Sequence, residues 1–312
     1  MRRSCLIQSP PRALFWLRRY KENRLFAGII GKTPLIKLSP KIYAKLETYS
    51  PSGSIKDRMV AYVVRKAIEE GGITEGSKFI EATSGNTGIA LSMIGAAMGR
   101  EVHIVMPCNM SKERVKMMQA YGAIIHRVGH SDFAGAIEKR DSMMREERDW
   151  WSPMQFSNKL NVEAHYSTTA LEIKQEVDNT IKKRWAAFVS GAGTGGTMMG
   201  VSCFLEDNNL DTDTVLVVPA ESSAEHGIQG INDGADFLLD KSRVNSIIEV
   251  KTEDAIRKAK QLAKDRGLLV GISSGANVLA AERWVEQNSP EGIVVTVLCD
   301  RGERYLESFS EE

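Results

Sequence analysis

An α/β protein with parallel strands is what the sequence predicts, and two features predict it. Short β-branched or apolar runs alternate with longer helical stretches, and the loops richest in Gly, Ser and Thr fall where such a run gives way to a helix. In chain order, strands are expected over residues 41–46, 78–82, 101–106, 124–128, 186–190, 215–219 and 293–298. Helices are expected over residues 56–70, 88–98, 112–121, 134–147, 165–177, 197–207, 253–265 and 275–287. The 312 residues are about twice the usual size of one domain, so one large domain or two are expected. Composition marks the polar stretch 148–161 as the best internal boundary.

Composition excludes several classes. Hydrophobic residues at 42% and charged residues at 26% argue against disorder and coiled-coil rods. With 41 Lys plus Arg against 40 Asp plus Glu, the net charge of +1 gives no bulk reason to bind nucleic acid or an anionic membrane. Any anion must therefore be held by a local site. Cys5, Cys108, Cys203 and Cys299 lie far apart and show no C-x-x-C spacing, so neither a zinc site nor a disulfide framework is expected. Such cysteines fit a reducing compartment, the cytoplasm. No His/Asp/Glu cluster has metal-ligand spacing, and no stretch approaches a membrane span. The first residues are Arg-rich and lack an acid before Glu22, which leaves open an N-terminal arm over 1–23 or an organelle transit peptide.

Four motifs sit at strand-to-helix junctions, where open parallel sheets gather ligands. In Ser52-Gly53-Ser54-Ile55-Lys56-Asp57-Arg58 a Gly/Ser turn opens a helix with a lysine in its first turn. The positive end of the helix dipole disfavours the ammonium form there, which suits an amine meant to meet a carbonyl. The plain alternative is an exposed lysine on a solvated helix start. In Glu81-Ala82-Thr83-Ser84-Gly85-Asn86-Thr87-Gly88, hydroxyl and amide donors crowd a loop that could wrap a carboxylate, or simply cap the next helix.

The loop Gly191-Ala192-Gly193-Thr194-Gly195-Gly196-Thr197 lets the backbone approach a phosphate. Whose phosphate is open at this level. Gly191, Gly193 and Gly196 satisfy G-x-G-x-x-G, and Glu221 follows the next strand, so a nicotinamide-dependent oxidoreductase is a rival. Finally, Cys299 ends the strand 293–298, either as a core thiol or as a polarisable contact for a ligand.

Together these segments resemble the fold-type II pyridoxal-phosphate enzymes, specifically the cysteine synthases. The resemblance runs from Gly31-Lys32-Thr33-Pro34-Leu35 to Tyr305-Leu306 and includes Asn109-Met110-Ser111, Gln155-Phe156, Ala164-His165-Tyr166, 227–230 and 271–275. Cys299-Asp300-Arg301-Gly302 looks most like the B isozyme, whereas Ile228-Gln229-Gly230-Ile231 looks like the A isozyme. The resemblance implies two doubly wound open sheets with helices on both faces. It implies a large phosphate-binding domain from 24–46 and 161–312, and a smaller mobile domain, 47–160, carrying the lysine and the substrate loop.

It also implies roles. Lys56 would join pyridoxal 5'-phosphate and move the α-proton, and Asn86 would bond the cofactor's ring oxygen. Thr83, Ser84, Gly85, Thr87 and Gln155 would hold the substrate carboxylate. Gly193, Thr194, Gly195, Gly196 and Thr197 would cradle the phosphate, and a bulky residue at Gly195 would fill the phosphate's space. Cys299 would face the pyridine nitrogen, leaving a moderate electron sink that favours β-elimination.

The implied reaction is β-replacement through α-aminoacrylate, making L-cysteine from an O-activated serine and sulfide. Cystathionine β-synthase-type activity, or use of O-phosphoserine or thiosulfate, is the alternative. A homodimer is implied, and a serine acetyltransferase is the protein partner the resemblance raises. Lys32 replaces the usual Asn, and Cys108 takes an often polar position. Asn232-Asp233 stands where B-type enzymes carry arginines, which favours O-acetylserine over O-phosphoserine as donor.

Overall fold

The computed structural model describes residues 28–222, 227–231 and 237–310. Its larger sheet has six strands in the order β1-β2-β10-β7-β8-β9: β1 Leu35–Lys37, β2 Ile42–Leu46, β7 Trp185–Gly191, β8 Asp213–Pro219, β9 Ser246–Val250 and β10 Ile293–Leu298. Only β1 pairs antiparallel; the other pairings are parallel. The smaller sheet is wholly parallel, in the order β5-β4-β3-β6: β3 Lys78–Ala82, β4 Val102–Pro107, β5 Ile124–Val128 and β6 Trp150–Trp151.

The central strands of each sheet are buried on both faces, which is why β4, β7 and β10 read as near-continuous apolar runs. In β10 the side chains alternate between two cores. Val294 and Leu298 pack with Ala255, Leu262, Ala276 and Trp284 of helices α7 (Thr252–Arg266) and α8 (Ile272–Asn288). Val295 and Val297 pack with Ile173, Met198, Val201 and Phe204 of α5 (160–181) and α6 (Gly196–Asp207). The smaller sheet is likewise covered on one face by α1 (Lys56–Glu69), α2 (Asn86–Met98) and α3 (Lys112–Ala120), with α4 (Phe133–Glu146) on the other. Fold-type II architecture, with helices on both faces of two open sheets, is what the chain adopts.

Three strands escaped the sequence pattern. β1 is three residues long, and β6 is two residues inside the stretch taken as a boundary, paired to Lys78 and Phe79. β9 alternates half-buried with exposed side chains at the sheet edge, so no apolar run announces it. Helix α5 also begins earlier than expected and passes through wider π-turns at His165–Ala170 and Val177–Ile181. Opposite the first of these lies Gly200 of α6. A Cβ on Gly200 would come within 2.6 Å of the His165 Cβ, so glycine lets the two helices close.

Candidate active site

The turn before α1 is tied down by charge. Asp57 accepts the Ser52 N–H at 2.7 Å and the Ser52 hydroxyl, while Arg304 donates to the carbonyls of Gly53, at 2.9 Å, and Ser52. Ile55 N–H donates to the Cys299 carbonyl at 2.9 Å, and Ser54 bridges to Asp300. The first motif is thereby joined to the fourth. Lys56 is half-buried, and burial of its amine lowers its pKa, offset in part by Cys299 and Asp300. Depression was expected from the helix terminus; desolvation is its main source here. The Cys299 thiol, pushed up to about 12 by burial and by Asp300, stays protonated.

The second motif meets the same place. Asn86 Nδ2 donates to Asp300 Oδ2 at 2.7 Å, and the Tyr305 hydroxyl donates to the same oxygen at 2.6 Å. Thr87 donates to Gln155 Oε1 at 2.6 Å, and the Gln155 N–H donates to Glu81 Oε2 at 3.1 Å. Asn161 then carries the chain of contacts to the third motif, donating to the Gln155 carbonyl and to Thr194 Oγ1, both at 3.0 Å. Thr197 Oγ1 lies 3.2 Å from His165 Nε2. His165 is buried and held neutral, its pKa well below the usual value through burial, with Lys56 and Arg58 adding to the effect. Segments far apart in sequence thus enclose one region around Lys56.

Glycines begin three of the helices that point there: Gly85 caps α2, Gly195 caps α6 and Gly271 caps α8. A glycine cap has no side chain of its own to bond the orphan N–H groups, although Thr194 Oγ1 accepts the Gly196 N–H at 3.3 Å. The reason for Gly195 differs from the expected one. Its φ is +87°, and a Cβ there would come 2.5 Å from the Leu239 nitrogen. The packed backbone behind the loop forbids a side chain, before any phosphate is considered. Gly193 is similar, since a Cβ would come 2.6 Å from the Gly230 carbonyl oxygen.

Residues 27–300 match the model of the family described as pyridoxal-phosphate dependent enzyme. The chain belongs to that family. It is 38% identical over 296 residues to a probable cysteine synthase of Bacillus subtilis, covering 90% of this chain and 95% of that protein. It is 40% identical over 300 residues to cysteine synthase B of Campylobacter jejuni, covering 92% and 98%. Among solved structures, a hydrogen sulfide-producing enzyme from Fusobacterium nucleatum superposes with a TM-score of 0.87 at 37% identity, covering 94% of this chain and 93% of that one. This chain is accordingly a pyridoxal-phosphate-dependent enzyme of the cysteine synthase type, a transferase that handles small-molecule substrates.

The residues present fit the cofactor. Asn86 has a second N–H beyond the one donated to Asp300, the Lys56 amine is desolvated, and the glycine loop brings its backbone beside the Thr194 and Thr197 hydroxyls. Glu221, which could have served a nicotinamide ribose, instead accepts the Thr252 N–H at 2.7 Å and so starts α7. The oxidoreductase reading loses its acid and its family.

Sequence reasoning missed four participants. Ser273, at the start of α8, lies beside the Cys299 thiol and counteracts part of its pKa rise, and Ser274 Oγ accepts the Cys299 N–H at 2.9 Å. The Gly271–Gly275 pattern, a second Gly/Ser loop opening a helix, was the available signal. Asp300 was quoted only as part of a resemblance. Arg114 is 7% exposed, lies 5.1 Å from the Tyr305 ring centroid, and would have its Nη1 3.9 Å from a Cβ on Gly85.

Of the arginines that could have served a phosphate donor, Arg243 is engaged with Glu206 and Arg301 with the Thr48 carbonyl. Asn232-Asp233, on which the donor expectation rests, lies outside the described residues, as does the arm 1–23. Among the described residues no helix is long and apolar enough to cross a membrane.

Proposed function

We propose that the enzyme makes L-cysteine from O-acetylserine and sulfide, with Lys56 as its acid–base and cofactor-bearing residue. The observation that carries this is the meeting of the desolvated Lys56 amine, the protonated Cys299 thiol and the Asn86–Asp300 pair at one point. Pyridoxal phosphate, when bound, supplies an aldehyde for the amine and a sink for the electrons released at the substrate's α-carbon. Lys56 takes the α-proton as the β-substituent leaves, and returns a proton once sulfide has added. Thr83, Ser84, Gly85, Thr87 and Gln155 bind the substrate carboxylate. Gly193, Thr194, Gly195, Gly196 and Thr197 bind the phosphate, and Asn86 bonds the ring oxygen. At the ring nitrogen, Cys299 and Ser273 present a neutral thiol and a neutral hydroxyl, so nothing there forces protonation.

The reading extends to organisation. Residues 47–160 form the smaller unit that moves against 24–46 and 161–312, with 1–23 as an arm. Each sheet having its own core supports this. A cytoplasmic homodimer, with a serine acetyltransferase as partner, follows from the resemblance, and the free thiols of Cys108, Cys203 and Cys299 suit a reducing compartment. Targeting of the Arg-rich arm to an organelle is the alternative location.

The donor is tested by rapid mixing of the loaded enzyme with O-acetylserine or O-phosphoserine, following the cofactor's absorbance. O-acetylserine should react faster. Faster reaction of O-phosphoserine would overturn the donor assignment and point to Arg114, the buried cation beside the Gly85 loop.

A further inference from the structure

Asp300 has a place in the site but no role so far. It is 1% exposed and follows the last residues of β10. Its Oδ2 accepts from Asn86 Nδ2 at 2.7 Å and from the Tyr305 hydroxyl at 2.6 Å, whereas its Oδ1 is buried without a partner. The Tyr305 ring is in turn covered by the Arg114 guanidinium. Asp300 is the only side chain that hydrogen-bonds Asn86 among the described residues.

That contact settles something the shape of an amide cannot. The two ends of a primary amide are nearly equal in size but opposite in hydrogen-bonding sense. An ionised carboxylate accepts only, so Asp300 admits the Nδ2 end and excludes Oδ1. With one N–H engaged, Asn86 keeps a second N–H, and its Oδ1 is buried and unpartnered. The second N–H is the group that an accepting oxygen of a ligand would engage.

We propose that Asp300 is a positioning residue: it fixes which way the Asn86 amide faces the cofactor's ring oxygen, and Tyr305 holds Asp300 in place. Without it the amide can turn over and present its oxygen where a donor is required. The inference rests on Asn86 as the ring-oxygen contact, and the test separates the two claims.

The dissociation constant of pyridoxal phosphate and the absorption band of the loaded enzyme are measured for wild type, Asn86→Ala, Asp300→Ala and the double variant. Asp300→Ala should weaken cofactor binding about 10- to 100-fold and move the band. On the Asn86→Ala background the same change should cost less than about threefold, because there is no amide left to orient. Asp300→Asn, whose amide can donate as well as accept and so no longer dictates the direction of Asn86, should recover only part of the affinity.

If Asp300→Ala does not fold, Tyr305→Phe in both backgrounds decides. It removes one hydroxyl while keeping the ring, and should weaken binding about threefold only when Asn86 is present. Equal losses in both backgrounds, or wild-type affinity and band in the variants, would overturn the inference. A wild-type protein that binds no pyridoxal phosphate would instead overturn the function proposed above.

Discussion

Lys56 and Arg58 stand two residues apart on α1, in opposite kinds of buried surroundings. Arg58 is saturated. Its guanidinium bonds both oxygens of Glu47 (2.7 and 2.9 Å), both oxygens of Glu172 (2.8 and 2.7 Å) and Thr33 Oγ1. Lys45 adds a second cation, 2.8 Å from Glu172 and donating to the Thr33 carbonyl at 2.6 Å, so two cations face two carboxylates. Lys56, by contrast, is a desolvated amine beside a protonated thiol and a site with unpartnered atoms on Asn86 and Asp300. Closed networks hold a structure, whereas an incomplete one is poised for a ligand. The difference teaches that α1 is anchored through Arg58 so that Lys56 can be left unsatisfied.

The contrast can be broken from either end, and the largest effect belongs to Lys56. Lys56→Ala should lower turnover by about 10³-fold or more while leaving the thermal midpoint of the cofactor-free protein nearly unchanged. Comparable losses of stability and activity would show that Lys56 holds the fold rather than the chemistry. Arg58→Met should do the reverse, leaving Glu47 and part of Glu172 as uncompensated buried charges. A loss of about 3–5 kcal/mol in urea unfolding is expected, and wild-type stability would mean that the network is idle.

Asp57, between the two, sharpens the comparison through pH. Its folded-state pKa of about 6 lies above the ordinary 3.8, raised by burial against the Ser52 hydrogen bonds. Its contribution to stability is therefore fully present below about pH 4 and lost as pH rises through about 6. Glu172 runs the other way: burial would raise it, but Arg58 and Lys45 hold it at about 2, so its contribution vanishes only as pH falls from 4.5 through 2. Unfolding of wild type and Asp57→Asn at pH 4.5 and pH 7 should reveal a gap that changes by about 2 kcal/mol in favour of the variant at pH 7. A gap that does not move with pH would show that Asp57 is not the titrating group.

How much of this could be read in advance depends on how local each feature is. The runs 78–82, 124–128 and 293–298 are strands over the residues expected; in 293–298 burial on both faces writes itself as consecutive apolar residues, whereas 124–128 is a half-exposed edge strand announced only by its opening pair of isoleucines. Edge strands write less: β9 is half exposed, and the two residues of β6 exist only because Lys78 and Phe79 accept them as partners. The loops of the site were legible for the same reason as the long strands, each being a contiguous Gly/Ser/Thr signal ahead of a helix. What was hidden lies between segments. The pairing of Asn86 with Asp300 spans 214 positions, the tie from Thr194 to Asn161 spans 33, and Arg114 reaches Tyr305 from another sheet's helix. The reason for Gly195 was hidden too, because the obstructing backbone at Leu239 belongs to a distant turn.

The central claim is that one amine, Lys56, bears the cofactor. Its most direct test is borohydride reduction of the protein loaded with pyridoxal phosphate, followed by peptide mass mapping. The account expects loss of the visible absorption band and a phosphopyridoxyl group on the peptide containing Lys56, absent from Lys56→Ala. A label on another lysine such as Lys45, or no label on protein that takes up the cofactor, would contradict it.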